Sequence, residues 1–545
     1  MYSPPLYTVL KFPFSFIVNN NYNIKLTDED FIKFQVAQGD NMMFRLIRKI
    51  SDDNDKFQRF VIFVDATGGQ SKQTAMKKLL EHGFKVNKRK YVLSERSASM
   101  VRQNMLSFVE SHIEPALNKH ISMDLDFSGV PVTISKLLAY RGLCLSTCHC
   151  IEDWIPKMIV VNDYKTTIPN QTIKYVYDKK INFKDKNTGE DREWIQKDIA
   201  TKTTDISINA FDGCGICHPA VMREFERRIG TDDRINSLIF RAPYIKGCIH
   251  EMDYETFFKE HGVRKIKDIW GVEHDVSPGS EPMVIMTVSM YKGYSYFKNT
   301  GTYSDWEEYW RLFKKYKHCI GVTKWNFTLE QEPLVTRANY QILQDLDLPF
   351  EEFMHIADYS IEWYENVVEK NILYTYCFLG LMYDGEEPEV MNNYMAAIVR
   401  NPEMLEEPSI REYLNNLLDK YRNEFKCGKL WVDGTFKFLM PDMIALMEHI
   451  GGLQVNGCLE SDEFYCFDRR GVMSGERLVE RNPHICRSEH AVLKAVDNEL
   501  TQKYCSHLVN CAMINIKSIT PQRLNGADHD KIFVVPTRNC RVPTR

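Results

Sequence analysis

The chain has 545 residues, of which 44% are hydrophobic and 26% charged, and its formal net charge is −5. This composition is typical of a globular protein of about three or four domains. It argues against a chain dominated by disorder and against one coated all over in positive charge. A local basic channel stays open, because steering depends on how charge is distributed and not on its sum.

The amino-terminal stretch has no basic residue before its apolar run, and Lys11 interrupts that run. We therefore expect no secretory signal. No stretch approaches about 18 uncharged apolar residues, so no membrane span is expected. The 15 cysteines are then expected to be free thiols in a reducing compartment. Together these features predict an intracellular protein of the cytoplasm or nucleus.

Residues 1–150 are predicted to form a mixed α/β region. The run FVIFV at Phe60–Val64 indicates a buried strand that ends at a Gly-Gly turn. Both Lys72–Phe84 and Ser97–His112 have helical spacing. The basic cluster Lys85–Lys90 is either a solvated face or part of a nucleic-acid channel.

Residues 151–303 contain many short β-rich runs broken by Gly, Pro, Asp and Asn. Examples are Met158–Val161, Leu238–Ile249 and Met283–Met290. Such runs predict a compact β-barrel built from short strands.

Residues 304–427 are predicted to be a helical connector. Apolar residues recur at three- and four-residue spacing in Trp306–Tyr316 and in Phe350–Lys370. A second β-rich region, punctuated by glycine, follows over residues 428–545.

Two cysteine-rich segments raise the question of a metal or haem. The run Cys214–His218 fits the C-x-x-C-H pattern of haem attachment, but nothing in the sequence predicts the exported compartment that this chemistry needs. Cys144, Cys148, His149 and Cys150 are dense enough for zinc, yet no second ligand pair at regular spacing accompanies them. We expect the thiols of this second segment to be buried.

Two aspartates near the end of the chain form a candidate metal site. Asp528 and Asp530 follow the turn signal Asn525-Gly526 and precede the strand-like run KIFVV. In a tight loop, carboxylates at this spacing can converge on one cation, and Mg²⁺ prefers hard oxygen ligands that it shares with phosphates. Such an ion could activate a ribose hydroxyl and stabilise a departing pyrophosphate. Considered alone, paired aspartates beside Asn-Gly are more often a solvated turn.

The stretch before this loop resembles a motif of the cellular, silencing-type RNA-dependent RNA polymerases. Arg481-Asn482-Pro483 match the family's Arg-Asn-Pro, and His484, Cys486, Arg487, Ser488 and Glu489 stand where it usually has Cys, His, Pro, Gly and Asp. Five further matches occur upstream in the family's order: Ser97–Arg102, Phe211–Gly215, Phe240–Gly247, Val288–Lys292 and Thr336–Leu343. Six weak matches in the right order are more specific than any one of them, and they cover about residues 60–545.

The resemblance implies an α+β, multi-domain fold in which a helical connector joins two double-psi β-barrels that face each other across the active site. It implies that Lys246 and Lys292 contact the triphosphate or the template–product duplex, a task that suits a point charge on a long stem. It assigns nucleotide or nucleic-acid binding to Arg241, Arg481 and Asn482, since the planar fork of arginine favours phosphate contacts.

The activity implied by the resemblance is Mg²⁺-dependent transfer of nucleotides from nucleoside triphosphates to an RNA 3′ end. Asp528 and Asp530 would bind the metal and, with Lys246, form the catalytic set. The expected partners are an RNA template, the RNA product and nucleoside triphosphates, and no membrane. The expected product is double-stranded RNA for RNA silencing.

Two departures from the family leave alternatives open. Gly526 stands at the first of the family's three aspartates, so metal affinity is expected to fall. The sequence also ends soon after Asp530, where relatives continue with a helical part, which suggests a truncated, split or divergent member. One alternative is a single-chain DNA-dependent RNA polymerase of phage type. The other is a catalytically inactive, polymerase-like RNA-binding protein.

Overall fold

The computed structural model describes residues 6–125, 127, 131–184, 189–298, 301–326, 328, 336–338, 340–344, 346–381, 392–432, 434–481, 486–524 and 531–536. Within these residues the strands form three seven-stranded sheets and three two-stranded pairs.

The first sheet belongs to the amino-terminal region and has the order β2-β5-β6-β7-β4-β1-β3. Its strands are β1 (Leu6–Pro13), β2 (Asn23–Ile24), β3 (Gln35–Gly39), β4 (Phe57–Asp65), β5 (Phe84–Val86), β6 (Arg89–Leu93) and β7 (Met105–Glu110). The helices of the region are α1 (Phe14–Asn19), α2 (Asp28–Lys33), α3 (Met42–Ser51), α4 (Gln73–His82), α5 (Ala98–Arg102), α6 (Glu114–Ser122) and α7 (Ile134–Arg141). The predicted strand Phe60–Val64 lies inside β4, and the first predicted helix matches α4. The basic cluster Lys85–Lys90 forms the β5–β6 hairpin with its cationic side chains exposed.

The second helix predicted in this region, Ser97–His112, is wrong beyond its first turn. Ser97 caps α5 by accepting a hydrogen bond from the backbone N–H of Met100 at 3.3 Å. The chain then reverses through Asn104, which has a positive φ of 53°. The following strand, β7, is buried along its whole length between β4 and β6. Pairing on both sides therefore outweighs the local helical spacing.

The second sheet has the order β8-β18-β13-β14-β12-β17-β9. The strands of this region are β8 (His149–Ile151), β9 (Met158–Val161), β10 (Lys165–Lys184), β11 (Asp191–Asn209), β12 (Cys214–Cys217), β13 (Ser237–Ala242), β14 (Ile245–Glu251), β15 (Lys265–Lys267), β16 (Glu273–Asp275), β17 (Val284–Thr287) and β18 (Ile320–Trp325). Its helices are α8 (Pro219–Ile229), α9 (Tyr254–Glu260) and α10 (Ser304–Lys315).

Two features of this region differ from the expected run of short strands followed by helices. Strands β10 and β11 are 20 and 19 residues long and pair only with each other, as a long antiparallel ribbon. Strand β18 falls inside the predicted connector, yet it pairs with β13 of the sheet. The boundaries of all four predicted domains stay predictions.

The connector region is mainly helical, as its apolar spacing predicts. Its helices are α11 (Tyr340–Gln344), α12 (Phe350–Val368), α13 (Ile372–Leu379), α14 (Asn393–Arg400) and α15 (Pro408–Lys426). Helices α12 to α15 share a separate apolar core that includes Val367, Ile398 and Leu414. A short strand before them, β19 (Thr336–Arg337), pairs with one after them, β20 (Trp431–Val432).

The third sheet closes on itself as a barrel. Its strands are β21 (Thr435–Pro441), β22 (Glu463–Asp468), β23 (Gly471–Val472), β24 (Gly475–Glu480), β25 (Ala491–Ala495), β26 (Cys511–Ile514) and β27 (Lys531–Pro536), and its helices are α16 (Met443–Ile450), α17 (Glu499–Tyr504) and α18 (Thr520–Arg523). Because β22 pairs with both β25 and β26, six strands form a ring in the order β22-β25-β24-β27-β21-β26. Closure removes the unpaired strand edges that an open sheet would expose.

The second sheet and this barrel pack directly on each other. One continuous apolar core combines Phe257 and Phe258 of α9 with Ile444 and Met447 of α16. At its edge the His507 ring donates a hydrogen bond from Nε2 to the Glu251 carbonyl at 2.8 Å. The shared core fixes the position of one β region relative to the other.

The cysteines of the described part of the chain are free thiols. Cys144 and Cys148 are buried, as expected, while Cys214 and Cys217 lie on the buried strand β12. His218, which follows them, caps α8 through its ring nitrogen. Of the helices within the described ranges, none combines the length and the apolar character needed to cross a bilayer.

We expect the buried histidine His318 to make folding stability depend on pH. Its Nε2 donates to the carbonyl of His120 at 2.9 Å, and burial lowers the pKa of its ring to about 4. As the pH falls, the imidazole of the unfolded chain is protonated before that of the folded chain. The contribution of neutral His318 to the free energy of unfolding, about 3 kcal/mol, is therefore complete above about pH 6.5 and is lost as the pH falls towards 4. Urea unfolding at several pH values should show that the free energy of unfolding of the His318→Gln variant depends less steeply on pH over this window than that of the unmodified chain. An unchanged slope would contradict the assignment.

Candidate active site

Two of the predicted cationic residues lie opposite each other on one hairpin. In the β13–β14 pair, Arg241 is the direct cross-strand partner of Lys246. Residues that face each other in an antiparallel pair project to the same side of the sheet. Both side chains are partly exposed, so this face of the hairpin concentrates positive charge.

The third predicted cation, Lys292, is brought to the same hairpin from a distant part of the chain. Tyr291 forms a β-bridge with Ile245, and the Gly293 N–H donates to the Tyr244 carbonyl at 3.1 Å. The Lys292 ammonium lies 3.9 Å from a carboxylate oxygen of Asp212. The structure therefore places Lys292 next to the strand that carries Lys246.

The Asp-Gly turn that holds Asp212 is anchored to the segment before Lys292. Gly213 has a φ of +70°, a conformation that glycine adopts without strain, and its N–H donates to the Ser289 hydroxyl at 2.9 Å. The Thr287 hydroxyl donates to the Cys214 carbonyl at 2.8 Å. Three of the six sequence matches, around residues 211–215, 240–247 and 288–292, thus meet in one place.

Arg481 contacts the residue that precedes the predicted metal loop. It follows β24 directly, and its guanidinium donates to the carbonyl of Leu524 at 3.3 Å. Leu524 is the C-cap of α18 and is fully buried in the barrel core. The Arg481 guanidinium therefore contacts the backbone of Leu524, the residue just before the segment that carries the two predicted metal ligands.

Sequence analysis did not predict the polar contacts that stabilise the backbone near Arg481. Arg523 donates to the carbonyls of Ser488 at 2.9 Å and His490 at 2.6 Å, and its burial lowers the pKa of the guanidinium. The ring of His490 is hydrogen-bonded to the buried carboxylate of Glu480, the neighbour of Arg481. An isolated arginine and a Glu–His pair ten residues apart have no periodic signature, so only the folded barrel reveals them.

Asp528, Asp530 and Asn482 lie outside the described residues. The flanking backbone is described: α18 ends at Arg523, and β27 begins at Lys531 with β21 on one side and β24 on the other. Within the described ranges, three or more His, Cys, Asp or Glu residues nowhere gather as a metal site would require.

The connector motif at residues 336–343 contacts the barrel through apolar packing. Ala338 and Ile342 cluster with Val432 and with Leu478 of β24. Arg337 places its guanidinium 3.9 Å from the Tyr421 ring centre and also pairs with Glu424. This arginine thus fastens the β19–β20 pair to α15.

The sequence is similar to those of known RNA polymerases. The family model described as RNA dependent RNA polymerase matches residues 38–541. The DNA-directed RNA polymerase YonO of Bacillus phage SPbeta is 26% identical over 441 residues, which is 79% of this chain and 46% of the phage protein. The probable RNA-dependent RNA polymerase 5 of Arabidopsis thaliana is 33% identical over 100 residues, 18% of this chain and 9% of that protein.

Among solved structures, the RNA-dependent RNA polymerase QDE-1 from Thielavia terrestris shares the fold. It superposes with a TM-score of 0.56 at 12% sequence identity, over 97% of this chain and 53% of that chain. The match supports a mixed α and β, multi-domain architecture. The chain spans about half the length of these relatives or less.

Proposed function

Because the chain belongs to the RNA-dependent RNA polymerase family, we propose that it adds ribonucleotides from nucleoside triphosphates to an RNA 3′ end, directed by an RNA template. The observation that carries this proposal is that each of two β regions, which share one apolar core, holds predicted cationic site residues. One carries Arg241, Lys246 and Lys292, and the other carries Arg481, which is hydrogen-bonded to Leu524, four residues before Asp528 in the sequence. In this role the chain would make double-stranded RNA for RNA silencing.

The proposal takes the two β regions as double-psi β-barrels. Its support is the closed six-stranded ring of the second region, which mixes parallel and antiparallel pairs. In the first region β12 likewise runs parallel to β14 and antiparallel to β17. Both regions thus place a parallel strand pair beside an antiparallel one, and each presents a loop or hairpin that carries predicted site residues.

The donor set fits magnesium, since two carboxylates two positions apart in the sequence offer the hard oxygens that this ion prefers. When bound, Mg²⁺ would supply the charge that lowers the barrier for 3′-hydroxyl attack and pyrophosphate release. Asp528 and Asp530 would hold the ion. Lys246 and Lys292 would neutralise the triphosphate, and Arg481 would orient the nucleotide.

The role of Arg481 predicts a graded loss when its fork is removed. Arg481→Lys keeps the charge and loses the planar pair of donors, so we expect kcat/KM for nucleotide incorporation to fall by about 10²-fold. Steady-state kinetics with labelled triphosphates would measure the change. The matched control is Arg477→Lys on β24, the strand just before Arg481, where the guanidinium donates to the adjacent Glu476 carbonyl. Equal rates in both variants would contradict the proposed role.

The template preference is tested by offering the purified chain single-stranded RNA or single-stranded DNA with labelled ribonucleotides and Mg²⁺. Template-length product on RNA supports the proposal. Product on DNA alone would overturn the RNA-directed reading.

A DNA template is the second candidate function. The observation that favours it is the extent of the match to the phage DNA-directed enzyme, which covers 79% of this chain against 18% for the plant protein. A third outcome, RNA binding without incorporation under any divalent metal, would indicate the inactive, polymerase-like alternative.

A further inference from the structure

The β10–β11 ribbon projects well beyond the body of the protein. Ile168 and Ile208 near its base are buried, whereas most positions further out are exposed. At about 3.3 Å per residue, strands of this length reach about 65 Å. A two-stranded ribbon has little stability of its own in water, and exposed aromatic rings along it require an explanation.

The register separates the ribbon into two chemically different faces. Every aromatic residue of the two strands lies on one of them, which we call the aromatic face: Tyr175, Tyr177, Phe183 and Trp194. The Trp194 side chain is 64% exposed and Phe183 is 42% exposed. Aliphatic side chains occur on both faces, with Ile173 and Ile181 among the rings, but the opposite face carries no ring and exposes Val176, Ile195 and Ile199.

Charge is also divided between the faces. On the aromatic face the Lys202 ammonium lies 5.0 Å from the Tyr175 ring centre, and Arg192 stands opposite Phe183. Between the pair of residues 173 and 202 and the far end of the ribbon, this face has one carboxylate, Asp198. Lys179 forms an ion pair with it at 3.0 Å. On the opposite face three carboxylates lie among four lysines, and two of these carboxylates form the pairs Lys180–Glu193 and Lys197–Asp178.

We propose that the aromatic face of the ribbon binds single-stranded RNA outside the active site. Stacking of bases on aromatic rings, with cations for the backbone, is how proteins hold single strands without reading their sequence. The ring centres of Tyr175 and Tyr177 lie 6.0 Å apart, and Phe183 and Trp194 follow further along the same face, so the rings form a row rather than a pocket. A row of rings fits an extended strand better than a single small molecule.

The base of the ribbon links it to the proposed catalytic region. Strand β11 ends at Asn209, directly before the turn of Asp212 and Gly213 that lies beside Lys292. At the same point the Tyr164 ring stacks on Phe211 at 5.9 Å between centres. A template entering or a product leaving that region would meet the ribbon, so the inference deepens the proposed function and rests on it.

Binding of a labelled single-stranded oligoribonucleotide to the full chain, followed by fluorescence anisotropy without Mg²⁺ or triphosphates, tests the proposal. The double variant Trp194→Ala, Phe183→Ala should raise the Kd by about tenfold or more per ring. The matched control Ile195→Ala, Val176→Ala removes exposed side chains of the opposite face and should leave the Kd within about twofold. Circular dichroism would confirm that both variants fold.

Equal Kd values for the two double variants, or no RNA binding by the unmodified chain, would overturn the proposal. Sedimentation in which only the aromatic-face variant loses self-association would assign the face to a second copy of the chain and overturn it as well. The two proposals fail separately. If the chain incorporates nucleotides and the aromatic-face variant keeps its RNA affinity, only the ribbon proposal is overturned. If RNA binding depends on the rings but no nucleotide is incorporated, only the proposed polymerase activity is overturned.

Discussion

Replacing Asp530 by alanine is expected to reduce Mg²⁺-dependent nucleotide incorporation by at least about 10²- to 10³-fold, while the fold stays intact. Gly526 already stands where the resembling family has a further aspartate, so the loop has no spare carboxylate at that position. Loss of one of two remaining ligands should therefore remove most of the metal affinity. Incorporation of labelled ribonucleotides across a Mg²⁺ titration measures the effect.

The control is Asp232→Ala in the loop between α8 and β13, where the aspartate is exposed and far along the chain from the metal loop. It should leave incorporation unchanged. Thermal unfolding should give similar midpoints for both variants and the unmodified chain. If Asp530→Ala retained full incorporation at every Mg²⁺ concentration, the metal site would have to be sought elsewhere.

Gly247→Ala is expected to be the most destabilising small substitution in the first β region. A Cβ atom there would lie 2.5 Å from the Gly213 carbonyl oxygen and 2.5 Å from Met290 Cγ. That carbonyl cannot withdraw easily, because it accepts the Cys248 N–H at 2.9 Å. We expect the free energy of unfolding to fall by about 3 kcal/mol, the upper part of the range for overpacking a core.

Urea unfolding of Gly247→Ala beside Gly451→Ala isolates the effect of close packing. Gly451 has a helical φ of −74°, and the nearest atom to an added Cβ is a Phe258 ring carbon at 3.1 Å. The control should cost about 1 kcal/mol or less, since a ring edge can yield more easily than a hydrogen-bonded backbone carbonyl. Equal losses in the two variants would show that the Gly213 turn is not held against β14.

The close approach at Gly247 also connects stability to the site. Shifting the Gly213 turn would move Asp212, whose carboxylate lies beside the Lys292 ammonium. A variant that still folds should therefore show a raised KM for triphosphates together with its lower stability. That combination would distinguish displacement of the Asp212–Lys292 pair from a general loss of packing.

Much of the local structure could be read from residue pattern. The buried run Phe60–Val64, the strand Met158–Val161 and the helices near residues 306 and 350 occur where their spacing predicts. The spacing failed at β7, where apolar residues in a helical pattern are instead buried in a sheet on both faces. Short apolar runs are ambiguous between helix and strand until their neighbours are known.

The sequence by itself determined the family, because several weak motifs in a fixed order are a linear property that needs no folded partner. It also determined which residue types were candidates for phosphate and metal binding. Only the tertiary structure decided that Arg241 faces Lys246, that Lys292 joins that hairpin, and that Arg481 touches the residue before the metal loop. These contacts depend on strand register and ring closure between distant segments, and local periodicity carries no information about either.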